Sequence, residues 1–110
     1  MKLGSTALKQ LALDAEFKIP RLGDQIVVYK AWHENGFVTL YTNRTSDQVL
    51  EELVIFDLEN LEIDGLESEK QVFVRVGPGE EQLIKINMID NTRERKLSSK
   101  CENKKIYPYV

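Results

Sequence analysis

The sequence predicts an all-β fold: an antiparallel β-sandwich of about seven to eight strands, with a short helix at its N-terminus. Three observations carry this. The first is Lys70–Val76, where apolar and polar residues alternate; the run is broken at Gly77-Pro78-Gly79-Glu80-Glu81 and resumes from Gln82 to Ile89. A period of two built on β-branched residues is the pattern of strands with one buried face. Secondly, similar short runs recur roughly every ten residues, separated by Gly, Pro and Asn turns. The third is the lack of helical-period segments between those runs, which excludes a doubly wound parallel sheet.

In chain order, Ser5 or Thr6 caps a short helix whose Leu8, Leu11, Ala12 and Ala15 fall three and four apart, with Leu13 off that face. Residues 1–20 read as a loosely ordered N-terminal segment, ended by Pro20 and Gly23. Gln25–Trp32 is the first strand, with Ile26, Val28 and Trp32 on one side and Val27, Tyr29 and Ala31 on the other. Glu34-Asn35-Gly36 supplies a hairpin turn, because Asn-Gly tolerates positive φ. Phe37–Thr42 returns, apolar on both faces and therefore central. Val49–Leu58 places Leu50, Val54, Phe56 and Leu58 inward. Glu52 interrupts that row, and a bulge or edge position there would account for it. Leu61–Ile63 is a short strand, and Asp64-Gly65 turns the chain. Because Gly77 and Gly79 can take positive φ and Pro78 ends a ladder, Lys70–Val76 and Gln82–Ile89 are expected to pair about a reversal. Asp90–Arg95 is a charged loop. Lys96–Asn103 alternates weakly, like an edge strand protected by lysines, and Pro108 keeps the aromatic ending off a central position.

With 110 residues the chain is one domain. A formal charge of −3 gives no overall attraction to nucleic acid. The charge is polarised, however. Ser46–Lys70 holds nine acidic residues against Lys70, whereas Asn91–Val110 holds Arg93, Arg95, Lys96, Lys100, Lys104 and Lys105 against Glu94 and Glu102. Those six cations form a candidate basic patch for an acidic or phosphate-bearing partner. One cysteine, Cys101, excludes an internal disulfide and fits a reducing, cytoplasmic setting. No apolar run approaches the length of a membrane span. Asn43-Arg44-Thr45 has the form of a glycosylation sequon at a strand end.

Catalytic signals are weak. His33 and Cys101 are the sole histidine and thiol, and Lys96 and Lys100 are near enough in sequence to depress the thiol pKa; no third group to orient the histidine is visible. Asp64, Glu67 and Glu69 surround one turn and form a candidate weak calcium loop, without the spacing of an EF-hand. Neither a phosphate-binding loop nor a zinc ligand set occurs. No catalytic, cofactor or metal residue is therefore assigned, and a non-enzymatic role is expected. Phe73, Arg75 and Leu83 are candidates for a partly exposed second surface, or else lie beneath a neighbouring element.

From Phe37 to Ile89 the chain resembles the non-catalytic β-sandwich modules of calpain-type cysteine proteases and their calpain-like relatives. The residues that carry the resemblance are Leu40-Tyr41-Thr42-Asn43-Arg44-Thr45, Leu50–Phe56, Leu61-Glu62-Ile63, and Val74–Glu80 followed by Leu83–Ile86. The resemblance implies an accessory, regulatory domain that packs on a protease core or contacts another protein, membrane lipid or calcium. No papain-like core has a counterpart in these residues, so no catalytic residues carry over, and Lys2 stands where a myristoylation signal needs glycine. The alternative reading is an immunoglobulin-like or appendage-type adaptor that captures peptides along a sheet edge.

Overall fold

A computed structural model describes residues 4–66 and 68–110. Its elements are one helix, α1 (Ser5–Asp14), and strands β1 (Lys18–Leu22), β2 (Ile26–His33), β3 (Gly36–Asn43), β4 (Gln48–Glu59), β5 (Leu61–Ile63), β6 (Gln71–Val76), β7 (Glu81–Met88) and β8 (Lys96–Pro108). The strands form two antiparallel sheets, one ordered β1-β2-β3-β7-β5 and the other β6-β4-β8. The expected all-β architecture is present.

The core fills the space between the sheets. Ile26, Val28, Phe37, Tyr41, Ile84 and Ile86 from the larger sheet meet Leu50, Val54, Phe56, Val74 and Val76 from the smaller. Ile26 and Val28 of β2 and Leu50, Val54 and Phe56 of β4 face inward as the alternation marks, whereas Trp32, in the same row of β2, is half exposed. β3 is buried over its whole length because its second face lies under α1. There Leu8 and Ala12 pack on Val38 and Leu40, flanked by Tyr29, Ala31 and Leu83. A helix this short is marginal alone, so this apolar contact is what holds it. Neither Ser5 nor Thr6 caps it: Gly4 occupies the cap position, with no side-chain cap bond, and both residues lie in the first turn.

The reversal expected between Lys70–Val76 and Gln82–Ile89 is not a hairpin. β6 pairs with β4 and β7 with β3 and β5, so the turn at Gly77–Glu80 carries the chain from one sheet to the other. The side chains do share one interior, but across the sandwich. Alternation reports which face is buried and is silent on the neighbouring strand, so an arch and a hairpin leave the same local pattern. The turn is held by the Glu80 amide donating to the Gly77 carbonyl at 3.0 Å and the Gly77 amide donating to Glu80 Oε1 at 2.6 Å. Gly79 sits at φ +72°.

From β3 onward every connection changes sheets. Two buried asparagines fasten these crossings at the two ends of β4. Asn43 Nδ2 donates to the carbonyls of Gln48 and Val76, both at 2.9 Å, tying the β3–β4 crossing to the β6–β7 crossing. Its amide group is thus consumed inside the protein, and Asn43 is not displayed as a glycosylation sequon requires. Asn60, at φ +61°, turns β4 directly into β5; its Nδ2 donates to the carbonyls of Asp90 and Arg93, and its Oδ1 accepts from the Asp90 amide.

The remaining departure is β1. Pro20 and Gly23 suggested an interruption, yet Lys18–Leu22 pairs with β2 as an edge strand, where the missing proline amide costs no ladder bond. β2 and β3 close on His33 opposite Gly36. A Cβ on Gly36 would lie 1.9 Å from the Ile86 carbonyl oxygen, so glycine is required there for close strand approach.

Candidate functional site

The open flank of the sandwich, between β1–β2 of one sheet and β8 of the other, is built around one buried carboxylate. β4 supplies Glu52, whose residue is 0% exposed although its position belongs to the inward row. The register of β4 against β8 shifts between Glu51 and Leu53, and Asn103 on β8 adopts φ +56°. The anticipated bulge is therefore real; the edge alternative is not, since β4 is the middle strand of its sheet.

A buried carboxylate must be compensated, and Glu52 is. Arg21 on β1 grips it with two bonds, Nε to Oε1 at 2.8 Å and Nη2 to Oε2 at 3.1 Å. The Tyr41 hydroxyl donates to Oε2 at 2.7 Å and the Cys101 thiol donates to it at 2.9 Å. Arg21 Nη2 also lies 3.2 Å from Cys101 Sγ. Burial alone would raise the Glu52 pKa, but the donors from Arg21, Cys101 and Tyr41 outweigh it and hold the carboxyl below its usual range. Burial and the bond to Glu52 push the Tyr41 and Cys101 pKa values up. Cys101 is consequently a protonated donor and not an activated nucleophile, contrary to the depression expected from Lys96 and Lys100. His33 lies at the far end of β2 beside the hairpin, its Nδ1 accepting from the Asn35 amide at 3.3 Å. Burial, and then Arg95, lower its pKa. The two residues do not form a dyad. The Glu52 cluster is an inter-sheet bolt whose polar atoms are spent on one another.

Beyond this bolt the flank opens. β1 pairs with β2 only through Tyr29, and the Lys30 amide donates to the Phe17 carbonyl at 3.2 Å, after which the chain leaves the edge toward α1. Strand alternation points the Trp32 amide and carbonyl to this vacated side. The result is a cleft of about 670 Å³ lined by Ala15, Glu16, Phe17, Lys30, Trp32, Phe37 and Leu97–Ser99, among others. Phe17 and Trp32 are 60% and 46% exposed. Trp32 is fixed between Phe37, edge to face with ring centroids 4.9 Å apart, and the Arg95 guanidinium, 4.8 Å above its ring. Lys30 Nζ reaches across the gap to Ser99 Oγ at 3.4 Å. Burial lowers the Lys30 pKa, Arg21 adding to the effect and Cys101 and Glu52 opposing it.

The six basic residues do not converge. Arg95 is occupied with Trp32 and with the carbonyls of His33 and Glu34. Lys96 stands opposite Glu59 and Lys105 opposite Glu51 along β8, and Lys100 pairs with Glu102 at 3.3 Å. Arg93 lies in the loop that Asn60 fastens, and Lys104 lies at the β8 bulge. Of the candidate calcium loop, Asp64 faces Lys85 and Asn87, and Glu69 is exposed, while Glu67 lies outside the described residues. Among the described residues no group of three or more acidic, histidine or cysteine side chains is placed to hold a metal ion. Phe73 and Arg75 are exposed on the outer face of the smaller sheet, beside Leu53. Leu83 lies instead beneath α1 on the other sheet.

Sequence reasoning marked Glu52 as an anomaly, which located the bolt, but not its partner Arg21. It missed the cleft altogether, because Phe17, Trp32 and Leu97 come together only through the premature end of β1. Among the described residues no helix is long and apolar enough to cross a membrane. In comparisons with protein-family profiles, curated proteins and solved structures, nothing matches this chain.

Proposed function

We propose that this domain is a non-enzymatic interaction module that takes an extended segment of a partner protein in the cleft between β2 and β8. The observation that carries the reading is the gap in the sheet edge at Trp32, where a backbone amide and carbonyl that β1 does not reach stand beside exposed aromatic rings and apolar walls. Main-chain pairing at such an edge supplies affinity, and the adjoining pocket supplies side-chain selection. Aromatic and arginine side chains that become desolvated on binding are the usual anchors of a protein interface. The resemblance of Phe37–Ile89 to the accessory sandwiches of calpain-like proteins supports a regulatory setting, and the single cysteine supports a cytoplasmic one.

Panning a random peptide library and mapping amide shifts with a selected peptide tests the reading. Shifts centred on Phe17, Lys30, Trp32 and Leu97–Ser99 are expected. Shifts confined to the Phe73–Arg75 face would contradict it. A second reading, contact with anionic lipid through that outer face, has Phe73 in its favour: 60% exposed and flanked by Arg75. Its test is flotation with phosphatidylserine vesicles before and after charge reversal of Lys96, Lys100 and Lys105; unchanged flotation would dismiss it.

A further inference from the structure

We infer that Lys30 is a carboxylate anchor, and that the segment the cleft accepts is the C-terminal end of a partner chain with an apolar or aromatic last residue. This rests on the reading of the cleft as a docking site.

The first argument is charge. Lys30 sits on the inner face of β2, in line with Ile26 and Val28, and extends its ammonium into the gap between the sheets. Two cations, Arg21 and Lys30, share that flank with one buried carboxylate, Glu52, and both oxygens of Glu52 are already engaged by Arg21. Among the described residues no carboxylate lies within ion-pair distance of Lys30, and its one side-chain bond, to Ser99, is long at 3.4 Å. A half-buried ammonium has three donors to place. Glu16 lines the same cleft but is exposed and forms no ion pair with Lys30 among the described residues, so the ammonium stands without a direct counter-charge next to an apolar pocket, the complement of a carboxylate on an apolar residue.

A second polar group points the same way. Thr39 is the cross-strand partner of Lys30 and shares its inner face, and its buried Oγ1 has no hydrogen-bond partner among the described residues. Buried polar atoms without partners are rare. The inner face at this level of the strands is thus short of hydrogen-bonding groups on two adjacent residues.

The third argument is length. The open part of the β2 edge is bounded on one side by Phe17, which accepts the Lys30 amide, and on the other by Arg95, which covers Trp32 and binds the His33 carbonyl. Only Trp32 has its amide and carbonyl directed to the vacant side between those limits. One residue of ladder suits a chain end. A strand running through would collide with Phe17 or have to displace Arg95.

The probes are N-acetylated Val-Tyr-Val-Phe as the free acid, the same peptide as its C-terminal amide, and Val-Tyr-Asp-Phe amide, which carries its carboxylate internally. Binding is read from the fluorescence of Trp32, the single tryptophan, and from the Trp32 amide shift. The free acid is expected to bind about tenfold more tightly than either amide, as a charge-assisted contact requires. Lys30→Met should erase that preference without weakening the amides, and Lys30→Arg should keep it; both variants are first checked for a melt like the parent's. Equal binding of acid and amide overturns the anchor, and equal binding of the free acid and the internal-aspartate peptide overturns the chain-end assignment; either result leaves the cleft as a peptide site. If none of the peptides moves Trp32, Lys30 or Leu97, both readings fall. Saturable binding of decanoate where the peptides fail overturns the proposal in favour of a fatty anion.

Discussion

Replacing Arg21 by Met removes the cation that compensates Glu52 and little else. The Arg21 side chain is 12% exposed and that of Glu52 0%, so solvent cannot take over its role. Stranding a buried charge by deleting its partner costs about 3–5 kcal/mol, a large share of the roughly 5–15 kcal/mol that holds such a domain together. For a chain of this size the lower figure corresponds to a fall of about 10–20 °C in Tm. The loss also has a pH signature. In the parent the Glu52 pKa is depressed, so its stabilisation is present above the unfolded carboxyl pKa of about 4.3 and disappears as pH falls through the lower folded value. Without Arg21, burial dominates and the folded pKa rises, so the penalty is full at pH 7 and shrinks toward pH 4 as the carboxyl becomes neutral. Urea titrations of both proteins at pH 7 and pH 4 measure this, and Arg21→Met/Glu52→Gln should recover most of the loss at pH 7. A Tm within about 2 °C of the parent, or a deficit identical at both pH values, would refute the bolt.

Three further expectations follow from the same geometry. Gly36→Ala should cost at least about 3 kcal/mol, because its Cβ would enter the Ile86 carbonyl, whereas Gly65→Ala, with open space around it, should cost about 1–2 kcal/mol from left-handed strain alone; paired denaturation curves decide this. Val74→Asp or Ile86→Asp buries an unpaired carboxylate at a fully buried site and should abolish the cooperative melt. With its pKa raised by burial and by Glu52, Cys101 should react with a disulfide reagent at pH 8 at least about tenfold more slowly in the native protein than in urea; equal rates would show a thiolate that the structure does not support.

How much of this was legible beforehand varies with the range of the interaction. β3 reads correctly because burial on both faces is written into Phe37–Thr42 itself, and Glu52 is conspicuous because a carboxylate falls in an apolar row. Arg21, 31 residues earlier, carries no local mark: Pro20 beside it suggests an interruption, and only tertiary pairing makes Lys18–Leu22 a strand. The β6–β7 arch is indistinguishable from a hairpin in the sequence because both connections want the same glycines and the same alternation. The basic stretch near the C-terminus is dense in sequence, yet strand pairing sets Lys96 and Lys105 against carboxylates of β4 and so disperses its charge. A cleft formed by the absence of a neighbour has no residue pattern of its own.

Amide hydrogen exchange along β2 tests the central claim, that the flank of the sandwich is closed at Arg21 and open at Trp32. In the free protein the Val28 amide, covered by β1, should be strongly protected and the Trp32 amide should exchange rapidly; a peptide selected by panning should slow Trp32 and leave Val28 unchanged. A Trp32 amide as protected as Val28 in the free protein, or one indifferent to every selected peptide, would contradict the account.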